Sequence, residues 1–304
     1  MPATSVVASD LELFTAFSVY QEARSYSEAT IRRRRLTLTR FARFMTPASV
    51  LTATAEDVDD FLAKLVTART RHAYRSDVNT FFRWALRRGL ATANPVDATD
   101  GVRIPRSLPR PAPVEAIARA FAMADGDTQL MVMLGALAGL RRAEIAGLSA
   151  GDVHLEAEPP VLIVRDGKGG KDRVVPLHPT LIGMLRGWME QLTRSTGQHT
   201  SWLFRSPRGK GPLSPDAVAR RCAKALSTPD QRVSTHQLRH YFGTEAARWS
   251  GGNVVLVGSL MGHASTQTTM GYIGWSPTEG AEVVAKIVTA GVDDEVARRR
   301  AMRG

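Results

Sequence analysis

A mainly α-helical protein of two domains, with one small antiparallel β-sheet in the second, is the architecture this chain predicts. Three observations carry it. Apolar residues recur at helical spacing through four successive stretches between residues 11 and 94. Residues 95–113, with five prolines, then interrupt all periodicity. Beyond them only Val161-Leu162-Ile163-Val164 and Arg173-Val174-Val175-Pro176-Leu177 read as strands, and they flank a glycine-rich turn. At 304 residues the chain is long enough for two separate cores.

Residues 1–10 are expected to form a flexible terminus. In the first helix Leu11, Phe14, Phe17 and Tyr20 recur at a spacing of three. In the second, Ile31, Leu38, Phe41 and Met45 share a face, with Ser27 or Thr30 as its cap. The third opens at Ala55-Glu56-Asp57-Val58, acidic as the helix macrodipole favours, and continues through Phe61, Leu62 and Leu65. The fourth carries Tyr74, Val78, Phe81, Phe82 and Ala85 and stops at Gly89. Charge is uneven across this 11–94 domain. Residues 24–43 hold seven arginines against Glu28, and residues 64–88 hold one lysine and six arginines against Asp77. A solvated face explains one such helix. Two in one small domain point to a pair that tracks a phosphate backbone, with Arg32, Arg33, Arg34, Arg35, Arg71, Arg75 and Arg83 as candidate DNA contacts.

The proline-rich residues 95–113 read as an extended, semi-rigid linker. The second domain, residues 114–290, opens with a helix from Val114 to Met123 and a longer buried one from Leu130 to Leu140. A short helix from Ala143 to Leu148 precedes the two strands. Further helices are expected over Pro179–Leu192, Asp216–Leu226, His236–Trp249 and Asn253–Met261. An apolar tail helix over Ala281–Val288 precedes a polar tail, residues 291–304. Docking of that helix on its own domain or on a neighbouring subunit is equally compatible with its sequence.

Composition narrows the class. The formal net charge of +11 and pI near 10.4 favour a polyanionic partner. Cys222 is the single cysteine, which excludes an internal disulfide and a cysteine-rich zinc site and fits a reducing cytoplasm. The start of the chain has neither the basic nor the apolar region of a signal peptide. The longest apolar run, Leu130 to Leu140, is too short to span a bilayer.

The residues that carry chemistry are cationic, apart from one phenol. His236 and Arg239 stand at i and i+3, on one face near a helix N-terminus that Thr235 can cap and whose free N–H groups attract phosphate. Arg141 follows a buried apolar run, and Glu144 three residues on can pair with it; Arg142 is an alternative that periodicity does not separate. A planar, permanently charged guanidinium suits bidentate contact with phosphate oxygens. Lys168 lies in the hairpin tip, where an ammonium with a pKa near 10.4 readily protonates an alkoxide. Lys171 competes for that role. His263 follows Leu260-Met261-Gly262, and Tyr272 comes nine residues later. Of the remaining tyrosines, Tyr241 adjoins the His–Arg motif and must be excluded separately as a nucleophile. No carboxylate and imidazole cluster suggests a metal, and no cofactor is implied.

In this order the stretches GLRRAEIAGL, DGKGGKDRVVPL, THQLRHYFGTEAA and LMGHASTQTTMGY resemble the tyrosine recombinases, the phage-integrase and Xer group. The resemblance covers about residues 11–290, with its motifs confined to the second domain. It implies a helical core-binding domain followed by an α+β catalytic domain. It also implies Arg141 and Arg239 as phosphate-clamping arginines, Lys168 as general acid, His236 and His263 as active-site imidazoles, Tyr272 as nucleophile and Glu144 as acidic support. The implied partners are double-stranded DNA and three further copies of the chain, assembled as a tetramer on paired sites, with the tail as a subunit contact. Ten residues ahead of the first helix leave no room for an arm-binding domain, so a simple phage or prophage integrase is expected. A Xer-like dimer resolvase or transposon recombinase shares every motif. A non-catalytic DNA-binding regulator would not need the intact set, and a type IB topoisomerase fits these motifs less well.

Overall fold

The computed structural model describes residues 8–105, 110–167, 171–196, 202–207, 211–262 and 277–289. They fall into two compact units, Met1–Ser107 and Leu108–Gly304. The architecture is mainly helical, with one three-stranded antiparallel sheet in the second unit, as the sequence predicts.

The first unit contains α1 (Ala8–Glu22), α2 (Glu28–Met45), α3 (Ala55–Ala63) and α4 (Ala68–Arg87). Side chains that accept backbone N–H groups start the last three. Ser27 accepts from Thr30 on α2, Thr54 and Asp57 form a reciprocal box on α3, and Thr67 accepts from Thr70 on α4. Ser27, not Thr30, is therefore the cap of α2. The core is aromatic: Phe14, Phe17, Phe41, Phe81 and Phe82 are fully buried, and Phe81 meets Phe14 and Phe17 edge-on at 5.7 and 5.5 Å. One buried carboxylate joins α4 to α2. Asp77 accepts from Arg33 and Thr37, both at about 3 Å. Burial raises its pKa, and the Arg33, Thr37 and Arg34 contacts offset part of that rise.

Two boundaries differ from expectation. Asp10 is not in a loose terminus: it lies in α1, fully buried, and accepts from the Ser49 hydroxyl and the Val50 N–H. Residues 95–98 are not linker: Pro95–Ala98 form a 3₁₀ turn capped by Asn94, with Pro95 and Val96 buried in the first core. The proline pattern suggests an extended chain, but the fixed φ of Pro95 equally suits the first position of a turn.

The second unit runs α5 (Val114–Met123), α6 (Gly126–Leu137), α7 (Arg142–Ala146), β1 (Val153–His154), β2 (Val161–Gly167) and β3 (Lys171–Pro176). It continues with α8 (Pro179–Thr196), α9 (Pro215–Leu226), α10 (Thr235–Trp249), α11 (Val254–Met261) and α12 (Pro277–Ala285). Helix α6 is the hub, buried on every side from Thr128 to Leu137. It packs on α10 through two glycines. A Cβ on Gly135 would come within 2.9 Å of Leu238, and one on Gly139 within 2.5 Å of Phe242. Gly139 also has φ +63° and ends the turn after α6. Gly139→Ala is expected to destabilise the protein by about 2–4 kcal/mol in a urea titration, from the left-handed strain and the clash together.

The sheet order is β1-β2-β3. Leu162 pairs with Val175 and Val164 with Arg173, all four on the buried face. Between Val164 and Gly167 the register shifts, and β2 carries one residue more than β3, a bulge at the root of the hairpin. The two-residue β1 was not expected, since Val153-His154 is too short to display alternation. The tail helix begins earlier than expected, at Pro277, and Val283, Val284 and Ile287 are buried in the second unit's own core.

Candidate active site

Three chain segments bring the site together. The first is the turn from α6 into α7. Arg141 caps α7 with extended backbone, and Glu144 at the third helical position accepts both the Arg141 N–H (2.8 Å) and its Nη1 (2.7 Å). This settles which arginine faces inward. The Arg141 side chain is 29% exposed, whereas Arg142 is 54% exposed and pairs outward with Asp216 at 3.0 Å.

The second segment is the start of α10. Ser234 is the cap, with Gln237 completing a reciprocal box; Thr235 is the first helical residue and is buried, contrary to the sequence expectation. His236 is exposed on the first turn, its ring 4.4 Å from that of His240. Arg239, one turn on, points inward and is only 4% exposed.

The third segment is the end of α11, where helix geometry leaves carbonyls without intrahelical partners. Arg173 Nε donates to the Leu260 carbonyl at 3.2 Å, Arg239 Nη2 to Met261, and Arg141 Nη2 to Gly262 at 3.3 Å. Three consecutive carbonyls thus each accept from a different arginine, at the negative end of the helix dipole. Gly262 ends the helix in the left-handed region, φ +63°, as αL caps require.

Arg239 also donates to the Gly139 carbonyl at 2.5 Å, so it bridges the ends of α6 and α11. Burial, with Arg141 and Arg173 alongside, pulls its guanidinium down to about 9. Burial alone would raise the Glu144 pKa. The Arg173 fork and the Arg141 contacts outweigh it and hold the carboxyl at about 2. Its folded value lies below its ordinary 4.5, so its contribution is complete above pH 4.5 and lost as pH falls through about 2. That contribution is roughly 3 kcal/mol. Glu144→Gln is therefore expected to unfold more easily than the parent at pH 6, with the gap closing towards pH 2.

Of the predicted catalytic set, Arg141, His236, Arg239 and the supporting Glu144 are described; Lys168, His263 and Tyr272 lie outside the described residues. Lys171 pairs through its backbone with Gly167, and its side chain also lies outside them. Arg173 was missed. By local pattern it is an ordinary strand residue, although it shares a strand face with Val175, and a charge on a buried face needs a buried counter-charge. Tyr241 is 5% exposed, its hydroxyl donates to the Val288 carbonyl at 2.6 Å, and burial pushes its pKa up to about 12. Each of these opposes a role as nucleophile.

The arginines proposed to contact DNA have divided surroundings. Arg35 and Arg83 are exposed, and Arg32 pairs with Glu28 within its own helix. Arg33 pairs with Asp77, Arg34 donates to Gln21, and Arg71 to the Leu65 carbonyl. The Arg75 guanidinium holds the Thr99 hydroxyl and the Val96 and Thr99 carbonyls, all within 3.0 Å. Arg75→Ala is expected to lower the stability of the first unit by about 1–3 kcal/mol in thermal melts, by removing three hydrogen bonds that tie α4 to the turn after it.

Residues 111–278 match the Phage integrase family, and residues 14–89 match the phage integrase N-terminal SAM-like domain. The chain belongs to the phage integrase family of tyrosine recombinases. It is a site-specific tyrosine recombinase, an enzyme that cleaves and rejoins DNA. This recombinase is 30% identical to tyrosine recombinase XerA of Pyrococcus horikoshii over 86% of its own chain and 88% of the relative. It is 31% identical to tyrosine recombinase XerC 2 of Ralstonia nicotianae, over 80% and 76%. Its fold matches that of a lambda integrase dimer bound to a COC′ core site, with a TM-score of 0.64 at 19% identity, over 87% of this recombinase and 97% of that chain. Among the described residues, no helix is long and apolar enough to cross a membrane.

Proposed function

We propose that this recombinase exchanges DNA strands through a 3′-phosphotyrosyl intermediate formed by Tyr272. The observation that carries the reading is the gathering of the Arg141 and Arg239 guanidinium groups at the end of α11, immediately ahead of His263. Among the described residues, two guanidinium groups with one carboxylate, itself shared with a further arginine, leave a surplus of positive charge suited to a phosphodiester.

In this scheme the Tyr272 oxygen attacks the scissile phosphorus as its proton passes to His236. Arg141, Arg239 and His263 bind the non-bridging oxygens while charge builds on them. The bond to the 5′ oxygen breaks, and Lys168 supplies the proton that oxygen takes up. A 5′-hydroxyl from a partner strand then attacks the phosphotyrosine and restores the phenol. One phosphodiester replaces another, so no nucleotide hydrolysis is needed. Exchange between two duplexes requires four active sites, so a tetramer on paired sites is the working assembly; a lambda integrase tetramer bound to a Holliday junction has the same fold. In the first domain, Arg35 and Arg83 are the DNA contacts best supported, being exposed. Arg32 and Arg33 can add to them from exposed positions, whereas Arg34, Arg71 and Arg75 are engaged internally.

Two biological roles use this chemistry. Integration joins two different sites, as the phage-type reading of the motifs expects. Dimer resolution acts on two copies of one site, and the Xer names of the curated relatives favour it. A supercoiled plasmid carrying two direct copies of the footprinted site separates them. Excision into two circles supports resolution; recombination only between unlike sites supports integration. The chemistry itself is tested by incubating the protein with a nicked suicide site, which should yield a DNA adduct stable to denaturant; no adduct on any bound site would refute it.

A further inference from the structure

We propose that Arg173 is a positioning residue for strand cleavage, one that fixes Arg141 through Glu144 and adds a third positive charge beside the scissile phosphate. This rests on the reading of Arg141 and Arg239 as the phosphate clamp.

Arg173 lies on the buried face of β3, across from Val164, and its side chain is 5% exposed. Its guanidinium meets the Glu144 carboxylate with both arms, Nη1 to Oε1 at 2.9 Å and Nη2 to Oε2 at 2.8 Å. Arg141 uses the same two oxygens, through Nη1 on Oε1 and its backbone N–H on Oε2. Each carboxylate oxygen therefore bridges the two arginines, and the orientation of one sets that of the other. The third contact, Nε to the Leu260 carbonyl, ties the same guanidinium to α11. Its side chain also lies against Gly262, where an added Cβ would come within 2.9 Å of Arg173 Cδ. One planar group thus connects β3, α7 and α11.

Charge balance argues that this is more than an ion pair for stability. Glu144 already has Arg141, and Arg239 stands close enough for both Arg141 and Arg173 to depress its own charging. A fold-stabilising ion pair is already complete with one arginine per carboxylate. Among the described residues, three arginines gather around one carboxylate, an arrangement electrostatically unfavourable until an anion arrives, and a phosphodiester supplies that charge. Lysine carries the charge but cannot span two carboxylate oxygens and a carbonyl with planar geometry.

The test is single-turnover adduct formation on a suicide DNA site, together with the Kd for the uncut site. Arg173→Lys and Arg173→Ala are compared with Arg173→Met/Glu144→Gln, a pair that removes both partners of the buried fork together. All are assayed on an ordinary scissile phosphate and on an uncharged methylphosphonate. Each variant is expected to lose about 100-fold in cleavage rate on phosphate. Kd should stay within about threefold, and most of the loss should disappear for Arg173→Ala on methylphosphonate, where no charge needs neutralising. A parent-like rate for the folded Met/Gln pair, or an equal loss for Arg173→Ala on both substrates, would overturn the inference. Arg141→Ala and Arg239→Ala serve as reference variants. If they cleave normally, the clamp reading itself fails; if they are inactive while Arg173 variants are normal, only this inference does.

Discussion

Tyr272→Phe is expected to abolish the covalent DNA adduct while leaving the Kd for an intact site within about twofold of the parent, because only one oxygen is removed. Denaturing gels of a labelled suicide site read the first quantity, and footprinting or polarisation reads the second. The control that gives the result its meaning is Tyr241→Phe. Its hydroxyl is committed to the Val288 carbonyl and its pKa is raised to about 12, so this variant should still form adduct. It should instead melt earlier, by the loss of one buried hydrogen bond worth about 1 kcal/mol. Adduct lost in Tyr241→Phe and kept in Tyr272→Phe would reverse the assignment.

Arg239→Lys is expected to lower the cleavage rate by about 1,000-fold or more, although charge is conserved. The guanidinium holds the Gly139 and Met261 carbonyls through two separate nitrogens, Nη1 and Nη2, and the single nitrogen of an ammonium cannot reproduce that planar fork. The parent's pH dependence gives a second check. Arg239 is drawn down to about 9, so the free enzyme should lose cleavage efficiency as pH rises through that value. Saturating DNA should move the loss to higher pH, since a bound phosphate favours the charged form. The stability effect runs the other way. The unfolded guanidinium, with its much higher ordinary pKa, keeps its proton when the folded one has lost it, so the strain of burying the cation eases above about pH 9. A pH-rate profile flat from 7 to 10 would remove this account of Arg239.

Much of this architecture was legible because most elements obey one local rule strongly. Phe14 and Phe17, or Val78, Phe81 and Phe82, declare a helix face, and Val114–Met123 was readable to its end residues. The departures occur where a residue satisfies two rules at once. Pro95 suits both an extended linker and the first position of a tight turn, and the buried Val96 beside it decides for the turn. Ser234 and Thr235 can each cap a helix, and only the Gln237 contact distinguishes them. In the site, Arg141 and Glu144 were legible because their partnership is local, three residues apart. Arg173 reaches Glu144 from 29 residues away, and no local pattern reports such a pairing.

The end of α11 has one more implication. Cations of like sign confined together tend to turn apart when nothing negative lies between them, and an enzyme that waits for its substrate must prevent this. Glu144 and the peptide oxygens at the end of α11 do so here, and on the proposed clamp reading those peptide oxygens stand in as a resident decoy for the substrate's own. Under the proposed clamp reading, the cluster therefore stays cocked in the idle protein, and DNA would arrive at a receptor already aimed.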